Sequence, residues 1–95
     1  MMTAEDVKKI GTGLFKYIRM ADGSFRFIRI DNTMMPPEHS SVVQRGEEVI
    51  AGGTVMIKQG VYRIINYRSE TLNVGTHARD ESALRYILGV KHMEG

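Results

Sequence analysis

GLFKYIRMADGSFRFIRI, residues Gly13 to Ile30, decides the fold. Two runs rich in aromatic and β-branched residues flank Ala21-Asp22-Gly23. Asp-Gly is a strong turn signal, so the stretch reads as a β-hairpin. Alternation puts Phe15, Tyr17 and Arg19 on one face of the first strand, with Leu14, Ile18 and Met20 on the other. In the second strand Phe25 and Phe27 oppose Arg26, Ile28 and Ile30. Neither strand has a purely polar face, which predicts cover on both sides, as in a small barrel or a sheet backed by a helix.

The rest of the 95 residues arranges itself around this hairpin. Before it, Thr3 is a cap residue followed by Glu5 and Asp6, and Val7 and Ile10 share a face until Gly11 and Gly13 stop the run. That is a helix of about two turns. After it, TVMIK and VYRIINYR flank Gln59-Gly60 and form a second hairpin over 54–68. Thr71 to Val74 could add a short strand. Asp80 reads as an N-cap, Leu84, Ile87 and Leu88 are spaced to face a sheet, and Gly89 closes the helix. The expected class is α+β: two β-hairpins in a small, mostly antiparallel sheet or partly open barrel, with a short N-terminal and a C-terminal helix packed on it. Residues 1–95 read as one domain, and 32–53 as a long connector. Val42-Val43 and Glu48-Val49-Ile50 can pin that connector to the core, so order is expected there.

Composition narrows function by exclusion. The 42% hydrophobic and 25% charged content is that of an ordinary globular domain. No apolar run approaches the roughly 20 residues that span a bilayer, and the acidic residues near the N-terminus do not form a secretory signal. No membrane role is expected, and the reading is cytoplasmic. Without cysteine there is no disulfide and no thiolate ligand. The net charge of +2 is too small to argue for nucleic acid.

The connector carries His39 beside Ser40 and Ser41. A chemical reading makes His39 a general acid or base with a distant partner, Ser69 or His77. The plainer reading has His39 and Ser40 satisfying backbone groups of a turn, and it is favoured because no third residue orients the imidazole. His39, His77 and His92 lack metal-ligand spacing, so no metal or other cofactor is expected. Gly11-Thr12-Gly13 and Ala51-Gly52-Gly53-Thr54 each precede a strand, so neither matches a phosphate-binding loop that opens a helix. FKYIR, FRFIR and YRIINYR resemble stacking platforms for single-stranded nucleic acid. With seven aromatic residues in the chain, however, Phe15, Phe25, Phe27 and Tyr62 are needed for the core.

His39-Ser40-Ser41, then Gly46, Ala51-Gly52, Gly60 at a strand turn and Ser69 together form a spaced pattern. It resembles the C-terminal module of plant calmodulin-binding IQ-motif proteins and of bacterial polymorphic-toxin-like proteins. That module runs from His-Ser-Ser through an Ala-Gly pair and a hairpin to Ser-Gly-His-Tyr. Here Glu70-Thr71 follows Ser69, Gly53 is a one-residue insertion, and His77 would have to stand in for the second histidine. The resemblance implies that the His39 loop approaches Ser69 at the end of the second hairpin.

The expected function is a small binding or regulatory module. Its patch comprises His39, Ser40, Ser41, Asn66, Arg68 and Ser69, with the segment from Asn66 to His77 as its second wall. It would take a small anionic or nucleotide-like ligand or a protein partner. The alternatives are a catalytic toxin-like domain using His39 with Ser69 or His77, and single-stranded nucleic-acid binding. A bare edge strand would favour a homo-oligomer.

Overall fold

The computed structural model describes residues 2–31, 39, 43–58, 61–66, 68, 69, 72, 74–89, 91 and 92, with only the backbone of Tyr62, Asn66, Lys91 and His92. Helix α1 (Ala4–Ile10) leads into strands β1 (Gly13–Met20), β2 (Phe25–Arg29), β3 (Val49–Lys58) and β4 (Val61–Asn66). A two-stranded ribbon, β5 (Arg68–Ser69) and β6 (Val74–Gly75), precedes helix α2 (Asp80–Leu88) and strand β7 (Lys91–His92). The main sheet has the order β2-β1-β3-β4-β7. Its first four strands are antiparallel neighbours and β7 runs parallel to β4. The order ends on two different strands, so the sheet is open over the described residues. The molecule is a small α+β fold with both expected hairpins and both expected helices.

Seven residues make too short a helix to persist in water alone. Two features hold α1. Thr3 Oγ1 accepts from Asp6 N–H while Asp6 Oδ2 accepts from Thr3 N–H, a reciprocal capping box. Val7 is buried in the core. Gly11, in the left-handed conformation, closes the helix by donating to Val7 O. Both helices lie on one face of the sheet, where Phe15, Tyr17, Phe25, Phe27, Val55, Ile57 and Ile64 meet Val7, Leu84 and Leu88. The core is therefore built from the odd-numbered face of the first hairpin that alternation defines.

Three details depart from the sequence reading. Strand β3 begins at Val49, so residues 49–53, expected in the connector, are paired with β1 through Arg19↔Ala51, Ile18↔Gly52 and Tyr17↔Gly53. Gly52 among them marks a close approach of another chain segment. Asp80 is the first residue of α2 and Arg79 the cap, because the Asp80 carboxylate is drawn inward by partners on β1. The strand expected at 71–74 is seen from Val74, in the pairings Arg68↔Gly75 and Ser69↔Val74, while Thr71 and Asn73 lie outside the described residues. Short segments flank the four antiparallel strands: Met2 bridges Phe27 on β2, and β7 pairs with Val61 and Tyr62 of β4.

Candidate functional site

The face of the sheet away from the helices carries Lys16 and Ile18 of β1, and pairing sets Gly52 opposite Ile18. Glycine at 52 leaves a hollow that Ser69 occupies. A Cβ on Gly52 would stand 3.3 Å from Ser69 Cβ, 3.3 Å from Tyr17 O and 3.5 Å from Ile18 Cγ2. The β5–β6 ribbon thus bends across the end of β4 to seat Ser69 against β3. Ser69 is fully buried, and among the described residues its Oγ has no hydrogen-bond partner. Such an atom is rare in a folded protein and calls for a physical reason.

His39 reaches the adjacent residue. It is 5% exposed and its Nε2 lies 2.7 Å from Gly53 O. A carbonyl only accepts, so Nε2 carries the proton, and in the neutral ring Nδ1 is left as the acceptor. Burial pushes the imidazole pKa below its ordinary value, nearby Lys16 pushes the same way, and the bond to Gly53 O opposes them. His39 is therefore a neutral donor held against the backbone.

The other expected site residues divide. Arg68 is exposed at the ribbon's start, and Asn66 closes β4 opposite Thr54 by its backbone. Ser40 and Ser41 lie outside the described residues. His77 is not joined to His39 by any described contact. It is exposed in the turn before α2, where its Nδ1 accepts from Arg79 N–H at 3.1 Å. The structure thus sets His39 and Ser69 on neighbouring residues of β3 and leaves His77 elsewhere. Phe15, Phe25 and Phe27 are core residues, as the plainer reading of the strand aromatics requires, while the Tyr62 side chain lies outside the described portion. Among the described residues no three His, Asp or Glu side chains are grouped to hold a metal ion, and no helix is long and apolar enough to cross a membrane.

A second polar cluster lies on the helix face. Asp80 is fully buried. Its Oδ2 accepts from Tyr17 Oη at 3.1 Å and from His77 N–H at 2.9 Å, and its Oδ1 accepts from Arg19 Nη1 at 3.4 Å. Thr76 Oγ1 lies 3.0 Å from Tyr17 Oη and donates to Gly52 O at 3.2 Å. Two hydroxyl protons therefore serve three contacts. The Arg19 guanidinium also lies over the Phe25 ring, 5.7 Å from its centroid, and its Nε is buried without a partner among the described residues. The signal for this cluster was in the alternation itself: an arginine sharing a strand face with Phe15 and Tyr17 requires a buried acid.

The connector is tied down at its far end. Arg26 forms a two-pronged pair with Glu47, Nη1 donating to Oε1 at 2.7 Å and Nη2 to Oε2. Gln44 N–H also donates to Glu47 Oε1. Arg26, with this N–H, holds the Glu47 carboxyl down to about 2. Compared with known protein families, curated proteins and solved structures, the chain matches none.

Proposed function

We propose that the chain is a small binding module whose recognition surface lies around Gly52 and Gly53, on the sheet face away from the helices. The observation that carries this is the Ser69 hydroxyl, buried without a partner among the described residues, one residue along β3 from the carbonyl that holds His39. A buried hydroxyl left unsatisfied costs about 1–3 kcal/mol. A guest that hydrogen-bonds to it as the β5–β6 ribbon opens from Gly52 removes that cost. Arg68, exposed beside Ser69, and Lys16, electrostatically coupled to His39, bias the surface toward an anionic or nucleotide-like guest. Binding is preferred to catalysis because His39 commits its Nε2 proton to Gly53 O instead of offering it to a substrate.

Calorimetric titration with inorganic phosphate and with adenosine monophosphate tests the reading on wild type and Ser69→Ala. Saturable binding of either probe is expected, weakened roughly tenfold or more by the substitution, the worth of a hydrogen bond to a charged group. Absence of binding by both probes, or equal affinity in the variant, would overturn it.

A further inference from the structure

We propose that the sheet face away from the helices, at the end that carries Leu14 and Met56, docks an acidic amphipathic helix of a partner protein. This inference is independent of the Ser69 surface, which lies farther along the same face, and uses none of its residues.

Register assembles the patch. Leu14 is opposite Met56, and Met56 is opposite Arg63. Ile30 donates its N–H to Leu14 O and continues the row on the β2 side. Two residues farther along β3, Lys58 is opposite Val61. Alternate residues of a strand share a face, so these side chains leave the sheet together, away from the Phe15, Val55 and Ile57 that fill the core. Ile30, Leu14, Met56 and Val61 are half-buried, while Lys58 and Arg63 are exposed. A cleft of about 230 Å³ borders Leu14, Met56 and Lys58, so this end of the face is open to a partner.

Charge chooses the occupant. Lys58 and Arg63 stand on a diagonal of the β3–β4 ladder, about 7–8 Å apart at the backbone. Neither joins an ion pair among the described residues. Of the described strand residues on this side, none is acidic. Asp31 belongs to the helix face: a Cβ on Gly13 would stand 3.1 Å from Asp31 Oδ2, 3.3 Å from Arg29 Nε and 3.3 Å from the Phe15 ring. There Arg29 Nε donates to Asp31 Oδ1 at 2.7 Å, so that carboxylate is matched on its own side. A second copy of the chain would set the Lys58 and Arg63 charges against themselves. Single-stranded nucleic acid would answer the charge, but stacking needs rings, and Phe15, Tyr17, Phe25 and Phe27 all lie in the core on the other face. A helix with an apolar stripe and carboxylates one turn apart, about 5–6 Å, satisfies both requirements. Its stripe covers Leu14 and Met56, whose flexible thioether adapts to it, and its carboxylates accept from Lys58 and Arg63. It also supplies the second layer that strands without a purely polar face call for.

Amide NMR titration with a synthetic helical peptide of about four turns, with leucines along one stripe and glutamates beside it, is the test. The same peptide with glutamine for every glutamate, an oligodeoxythymidylate, and phosphatidylserine vesicles are the other arms. The acidic peptide is expected to shift the amides of Leu14, Met56, Lys58 and Arg63 saturably and to bind more tightly than the other three. Lys58→Gln combined with Arg63→Gln, exposed changes that leave the fold intact, is expected to weaken it roughly three- to tenfold, the range of two solvent-accessible ion pairs. The proposal is overturned by the absence of saturable shifts, by shifts centred elsewhere, by any of the other arms binding as tightly, or by unchanged affinity in the double variant.

Discussion

The two faces of the sheet solve the same problem with different materials. The face under α1 and α2 is filled by large apolar side chains, and its buried polar group, Asp80, is surrounded by donors from Tyr17, Arg19 and His77. The opposite face buries Ile18 and Met20 but also His39, Thr54 and Ser69. There, close approach at Gly52 replaces side-chain volume. One face gains its stability from apolar area; the other carries polar groups that a scaffold alone does not require.

Substitutions separate the two. The largest effect is expected from Phe15→Ala on the helix face, where a fully buried ring is lost and Phe→Ala changes cost about 3–5 kcal/mol. Urea unfolding should show a sharply lowered midpoint or no folded baseline; a loss below about 1 kcal/mol would mean that the helices can collapse into the space. Gly52→Ala on the opposite face should cost less, about 1–3 kcal/mol, as overpacking against Ser69 and Tyr17 O. A near-neutral result in the same assay would show that the β5–β6 ribbon moves aside freely and that Ser69 is not held in its hollow.

The smallest effect is a pH dependence. The folded state holds the His39 pKa below 6.5, so it takes up a proton less readily than the unfolded chain. Stability from the buried neutral ring is full above 6.5, declines as pH falls from there toward the folded-state value, and then levels off. Urea midpoints measured at about pH 7.5 and about pH 5 should differ in wild type by more than in His39→Gln. Equal slopes in the two proteins would remove His39 as the titrating group.

What the sequence made legible was local. The hairpin turn at Asp22-Gly23 is fixed by Asp22 accepting from Ser24 two residues on, and the capping box joins residues three apart. Helix α2 ends at Gly89 as its spacing predicts. The misreadings involve partners distant in the chain. Asp80 has the residue type of an N-cap, yet its partner Tyr17 lies 63 positions away and turns it inward. Val49 to Gly53 read as the end of the connector, while pairing with β1 makes them strand. Strand β7 has two residues, too few to carry a periodicity. At the candidate site, residue types single out His39 and Ser69; only the folded chain reveals that Gly53 O holds the one and the hollow at Gly52 seats the other.

The ladder between β1 and β3 has a kinetic consequence. Each hairpin can zip from its own turn in microseconds. Joining them requires closure of the connection between Arg29 and Val49, and the entropy of that closure is lost before any rung of the central ladder forms. Both helices draw on residues from the two hairpins, so neither hairpin gains its full apolar cover until the halves are united. Collapse of the molecule is therefore paced by one long-range encounter, and amides along the middle strands should exchange with solvent as a single cooperative unit.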